Sequence, residues 1–180
     1  MDLLDFAGED MYFDEPISPD VEGLLLDAAR RYGDEAAELS LLQAYFLEPT
    51  HLTVLVALYR YFYYRHRYRE ALVTADRAIA IAAERLAIPA RWQELSEQDL
   101  GRSVLVSMTL TRFLLLALKG SGYLLMRLGE TQEALARFEK LAEIDTSDRL
   151  GISDLLTIAR SAVAEDAARR AGDKVRFLKP

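Results

Sequence analysis

Leu118 to Asp145 reads LKGSGYLLMRLGETQEALARFEKLAEID, an apolar-periodic helix, a short turn and a second helix. Its second half superposes on two upstream segments, GDEAAELSLLQAYFLEP (Gly33 to Pro49) and YREALVTADRAIAIAAE (Tyr68 to Glu84), each preceded by another apolar-periodic helix. Ala37 and Ala71 are 34 residues apart, and Ala71 and Ala134 are 63 apart, one period plus a 29-residue insertion. A helix pair of that length has too little interior to stand alone. Neighbouring pairs must stack and share a core, and about three copies are the working minimum.

The motifs resemble those of the tetratricopeptide repeat family. The third copy carries the resemblance best, with small Gly122 at the helix crossing, Gly129 closing the first helix, Ala134 and Phe138 at packing positions and Asp145 near the end. The second copy keeps Leu55, Leu58, Phe62, Tyr68, Ala71 and Ala78 in register but has Tyr59 at the small crossing position and His66 at the glycine. The first keeps Ala37, Leu41, Ala44 and Pro49, with Leu25 and Tyr32 at those two positions. The resemblance implies an all-α fold: a right-handed superhelix of three helix-turn-helix repeats, with an insertion before the third and a C-terminal capping helix.

The expected organisation is a single domain. An acidic N-terminal arm covers 1–17, repeat one 18–51, repeat two 52–85, the insertion 86–114, repeat three 115–148 and the capping helix 152–172. Ser153 is the expected cap of that last helix and Gly172 its end, with Leu155, Leu156, Ala159, Ala162 and Val163 on its packing side. In the insertion, Pro89 stops the preceding helix, Trp92 to Leu100 is expected to form a short helix entered through Ser96, and Ser103 is expected to start the long apolar helix. Trp92, Val104, Leu105 and Met108 there need a cover, either the insertion itself or a second copy in a homodimer. The arm carries Leu3, Leu4, Phe6, Met11, Tyr12 and Phe13 among its carboxylates, too many apolar residues for a simple tail. It either packs over repeat one or occupies the groove as a pseudo-ligand, in its own chain or a neighbour's.

Within 180 residues, 51% hydrophobic and 28% charged, the formal charge of −7 is unevenly spread. Residues 1–49 carry a net −11, residues 50–91 a net +4, and residues 92–180 balance at zero. Such asymmetry suggests charge-matched contacts within the chain or between copies. The absence of cysteine removes disulfide scaffolds and thiolate chemistry and agrees with a reducing, cytoplasmic setting. The first residues lack a secretory signal's basic start, and the longest clean apolar run, Phe113 to Leu118, is six residues. No membrane span is expected.

The chemistry concentrates in YRYFYYRHRYR, Tyr59 to Arg69. At about 100° per residue, Leu55, Leu58, Tyr59 and Phe62 face one way and Val56, Arg60, Tyr63, Tyr64 and Arg67 the other. The family resemblance implies that the first helix of each pair lines a concave groove. Helical phase then nominates Glu22, Leu26, Ala29 and Arg30 in repeat one. In repeat two it nominates Thr53, Val56, Arg60, Tyr63, Tyr64 and Arg67, and in repeat three Leu116, Lys119, Tyr123, Met126 and Arg127. Arginine forks match carboxylates, and tyrosines give rigid amphipathic contact area, so the groove favours an acidic, partly apolar peptide or protein. The bland alternative is that these arginines are solvated residues paired with nearby acids.

Other classes fare worse. A single-stranded nucleic-acid platform would interleave cations and rings in the same way, but Tyr59 and Phe62 point into the packing face and the overall charge is negative. Gly120 to Gly122 lies within a helix, where close packing explains it better than phosphate binding. His51 and His66 sit at turns, and no helical pairing of histidine with Asp or Glu supports a metal site. No catalytic residue, metal or cofactor is expected. A self-assembling structural protein remains an alternative to an adaptor. HLTVLVALYRYFYYRHRYREAL and VLVSMTLTRFLLLALKGSGYLL also resemble small repeat proteins associated with nitrogen-fixation genes, which implies a partner in nitrogenase assembly or regulation.

Overall fold

The computed structural model describes residues 15–176, with side chains described through residue 171, and its regular structure is entirely helical among them. Eight α-helices follow in order: α1 (Pro19–Arg30), α2 (Glu35–Leu47), α3 (Leu52–Tyr64), α4 (Tyr68–Arg85), α5 (Glu97–Val106), α6 (Met108–Leu128), α7 (Thr131–Ile144) and α8 (Ile152–Arg176). Helices α1 and α2, α3 and α4, and α6 and α7 pack as hairpins, and α8 packs on α7. The 29-residue interruption does not separate hairpins two and three, because α4 lies directly against α6.

The repeat register survives as a line of small buried residues. Ala37, Ala71 and Ala134 are each fully buried, letting the paired helices approach closely. One turn on, Leu41, Ala75 and Phe138 occupy the equivalent places and are also buried. In hairpin three a Cβ on Gly122 would lie 2.5 Å from Cε1 of Phe138, so the ring uses the space that glycine leaves. Hairpin two reverses the sizes: buried Tyr59 stands where Gly122 would be, and Ala75 where Phe138 would be.

The hairpin turns show why one position favours glycine. Gly129 has φ +77°, and the Glu130 N–H donates to the Leu125 carbonyl at 2.9 Å, closing α6 through a left-handed residue. At the same place in hairpin two, His66 has φ +58°, and the Arg67 N–H donates to the Phe62 carbonyl at 2.9 Å. The backbone geometry is retained without the glycine, at a conformational cost of about 1 kcal/mol.

The insertion departs from expectation at one serine. Ser96 and Asp99 form a capping box that starts α5, but α5 continues through Ser103 to Val106. The long helix restarts at Ser107, whose backbone is extended and whose hydroxyl accepts from the Leu110 N–H at 3.2 Å. Ser103 is instead fully buried and donates to the Leu100 carbonyl at 2.9 Å. Trp92 lies in a single 3-10 turn and stacks on the Arg137 guanidinium, 5.3 Å from the ring centre. Arg137 is itself buried. It binds both carboxylate oxygens of Asp76 on α4, at 2.6 and 3.1 Å, and the Ser121 hydroxyl on α6 at 2.5 Å.

At the last helix, Asp148 rather than Ser153 is the cap. Its Oδ1 accepts from the Ile152 N–H at 2.5 Å and its Oδ2 from the Ser153 hydroxyl at 2.6 Å, contacts that hold its carboxyl below the usual carboxylate range. Helix α8 also runs through Gly172 to Arg176, because one glycine inside a helix weakens it without ending it. Ile152, Leu156 and Ala159 are buried, Leu155, Ala162 and Val163 half-buried, and residues 167–171 are exposed.

Candidate functional site: an aromatic and arginine face

Four tyrosines from three elements make a continuous edge-to-face chain. Tyr32, in the α1–α2 turn, meets Tyr64 at 6.1 Å between ring centres; Tyr64 meets Tyr63 at 5.7 Å; Tyr63 meets Tyr68 at 6.0 Å. Two deeper rings support it. Tyr59 stacks on Tyr63 at 6.1 Å and Tyr61 meets Tyr32 at 6.1 Å, and both inner rings are almost fully buried. Edge-to-face pairs add about 0.5–1.5 kcal/mol each beyond the area they bury, so the outer rings are held in place before any partner arrives.

Arginines stand at both ends of the chain. Arg127 on α6 donates to the Tyr68 hydroxyl at 2.9 Å and lies 5.1 Å over its ring, with Tyr63 and Tyr123 in its electrostatic surroundings. Arg60 on α3 lies beside Tyr32 and Tyr64 on a cavity of about 340 Å³, walled by Leu25, Ala28 and Ala57. Burial pushes the Tyr32 hydroxyl above its ordinary pKa, while the positive charge of Arg60 opposes that shift.

The repeat register arranges this face in two tiers. Arg30, Tyr64 and Arg127 are equivalent positions of the three first helices, as are Leu26, Arg60 and Tyr123 one turn earlier. Cations and apolar or aromatic groups alternate along each tier. Arg30, Tyr64 and Arg127 are exposed, Arg60, Tyr63, Tyr123 and Met126 half-buried.

Two nominated residues do not belong to the face. Lys119 is buried, with Nζ donating to the Leu150 carbonyl at 2.5 Å, because the α7–α8 connection covers that side of α6. Arg67 caps the seam between hairpins one and two. It donates at 2.7 Å to both carboxylate oxygens of Glu38, and at 2.9 Å to Glu70, with its guanidinium 4.7 Å from the Phe62 ring centre. Those hydrogen bonds hold Arg67 above its ordinary pKa and Glu70 below the usual carboxylate range. Arg67 is thus paired with acids of its own chain.

Phase alone missed Tyr32 and part of Tyr68. The first stood only as a departure from a turn glycine, and its approach to Tyr61 and Tyr64 is a tertiary contact that the sequence does not signal. The second packs by its ring while its hydroxyl reaches both Arg127 and His66, whose Nδ1 lies 2.8 Å away. His51 is buried at the start of α3, where its Nδ1 accepts from the Thr53 N–H at 3.2 Å. Its Nε2 approaches Glu15 at 3.9 Å. Glu15 in turn binds Arg85 through both oxygens at 2.7 Å. The rest of the arm, residues 1–14, lies outside the described residues, and so do the two readings of where it packs.

Taken together, these features define, over the described residues, an all-helical set of stacked hairpins with a face of tyrosines and arginines. Among the described residues no helix is long and apolar enough to cross a membrane. The chain is 44% identical over 165 residues, 92% of either chain, to the "uncharacterized 19.8 kDa protein in nifW 5′ region" of Azotobacter chroococcum mcd 1. It belongs to the same family as that protein. No protein-family model matches the chain, so the tetratricopeptide resemblance gains no support from that comparison. No solved structure matches it.

Proposed function

We propose that the chain is a non-catalytic adaptor or assembly factor that binds an acidic, partly apolar peptide segment of another protein. Its three hairpins form a tetratricopeptide-like right-handed stack that presents the first-helix face as a groove. The carrying observation is the tyrosine chain from Tyr32 to Tyr68 with Arg60 at one end and Arg127 at the other. Partner carboxylates meet the two arginines, and an apolar side chain enters the cavity beside Arg60. Rigid tyrosines lose little conformational entropy on binding, which favours affinity from a small contact area. The relative's place in the nifW 5′ region supports an accessory role near nitrogen fixation, acting in the cytoplasm on a protein of nitrogenase assembly or regulation.

The test uses a fluorescent peptide alternating glutamate with leucine and phenylalanine, read by anisotropy, against the same peptide with glutamine for glutamate. The acidic peptide should bind and the neutral one should not. Combining Arg60→Ala with Arg127→Ala should weaken binding about tenfold or more while the far-ultraviolet circular dichroism is kept. Undiminished binding by that variant would place the site elsewhere.

A further inference from the structure

The elbow between α5 and α6 presents Val104, Leu105 and Val106 in succession, followed by Met108 just beyond the break at Ser107. Leu105 is 87% exposed and Met108 70% exposed. Helix amphipathicity does not produce three consecutive exposed apolar residues, and such a run on a folded surface marks a contact. Beside this knob lies a hole. A cleft of about 480 Å³ opens between α5, the start of α6 and the α7–α8 connection, with Val104, Met108, Leu115 and Ile144 in its walls. Leu105 and Val106, next in the chain to Val104, are exposed and do not line the cleft.

We infer that this elbow is a two-fold interface with a second copy of the chain, the Leu105 knob of each copy seated in the cleft of the other. An isologous contact requires one patch to be complementary to itself, and this one is so in shape and in charge. The knob and the hole lie side by side. The lining carries two acids, Glu97 on α5 and Asp145 after α7, and two bases, Arg112 on α6 and Arg149 in the α7–α8 connection, so its charge is balanced; Glu97 and Arg149 are the pair offered across the contact. A two-fold axis through the elbow sets each acid against its partner's base. The balance extends beyond the rim: residues 92–180 carry no net charge. Trp92 takes no part, since its ring is engaged by Arg137. The inference is independent of the peptide-binding reading, which rests on Arg60, Arg127 and the chain of tyrosines from Tyr32 to Tyr68.

Sedimentation equilibrium of the full chain at micromolar concentrations provides the measurement. The native chain should be dimeric. Leu105→Glu should raise the dimer dissociation constant about 30-fold or more with unchanged circular dichroism, since that side chain contributes little to the folded interior. Glu97→Arg and Arg149→Glu should each weaken self-association, and an equimolar mixture of the two variants should restore it by re-pairing both rim contacts. A monomeric native chain overturns the inference. So does a dimer indifferent to Leu105→Glu, or a charge-reversed pair that fails to recover on mixing.

Discussion

Hairpins two and three solve one packing problem with opposite residues. In hairpin three the first helix supplies Gly122 and the second supplies Phe138, whose ring fills the gap. In hairpin two the first helix supplies Tyr59 and the second supplies Ala75, and both are buried. Each hairpin puts one large and one small residue at these two places, as expected where a close-packed interface penalises both a void and an overlap. A single repeat signature judged position by position scores hairpin two as deviant. Judged pair by pair, it is compensated.

The largest effects should come from the big member of each pair. Tyr59→Ala and Phe138→Ala should each destabilise by about 3–5 kcal/mol in urea unfolding. Gly122→Ala should cost about 1–3 kcal/mol by forcing its Cβ against Phe138, and Phe138→Leu in that background should recover part of the loss. If the two changes simply add, the pair is not the unit of packing. A smaller effect separates the two turns. Gly129→Ala should destabilise by about 1 kcal/mol and His66→Gly should stabilise by about 0.5–1 kcal/mol, measured as shifts in Tm. No stabilisation by His66→Gly would mean that the His66 contact with Tyr68 outweighs the strained backbone.

The smallest effects concern pH. Hydrogen bonds hold Asp99, Asp148, Glu48 and Glu70 below the usual carboxylate range, the first three through serines and backbone N–H groups and the last through Arg67. A depressed folded-state pKa means that their stabilisation is complete above the unfolded carboxylate range near pH 4. It should be lost as pH falls through the lower folded values. Asp148→Asn should flatten that acid-side loss in urea titrations between neutral pH and pH 3, and an unchanged slope would remove Asp148 as a contributor.

The repeat register was legible in the sequence because it is written in size. Ala37, Ala71 and Ala134 recur at the predicted spacing and all are buried, and Gly122 and Gly129 do what their positions imply. The candidate face was half legible. Helical phase placed Arg60, Tyr63, Tyr64 and Arg127, since phase depends only on neighbours within the helix. It misplaced Lys119 and Arg67, whose partners lie 31 and 29 residues away in Leu150 and Glu38. Long flexible side chains follow tertiary acceptors, which periodicity does not encode. The elbow serine was ambiguous for another reason: Ser103 and Ser107 are equally good caps in composition, and burial against Leu100 and Thr111 decided between them.

Arg137 gives the 29-residue interruption a different meaning. An insertion between repeats ordinarily acts as a loop whose closure entropy falls on the stack that contains it. Here the guanidinium spans 61 residues to Asp76, reaches Ser121 on the neighbouring helix and carries Trp92 of the insertion on its face. The added chain is thereby fastened at the same point where the two hairpins meet. Sequence neighbours have been separated while spatial neighbours have not, and the detour serves as mortar in the joint that it interrupts.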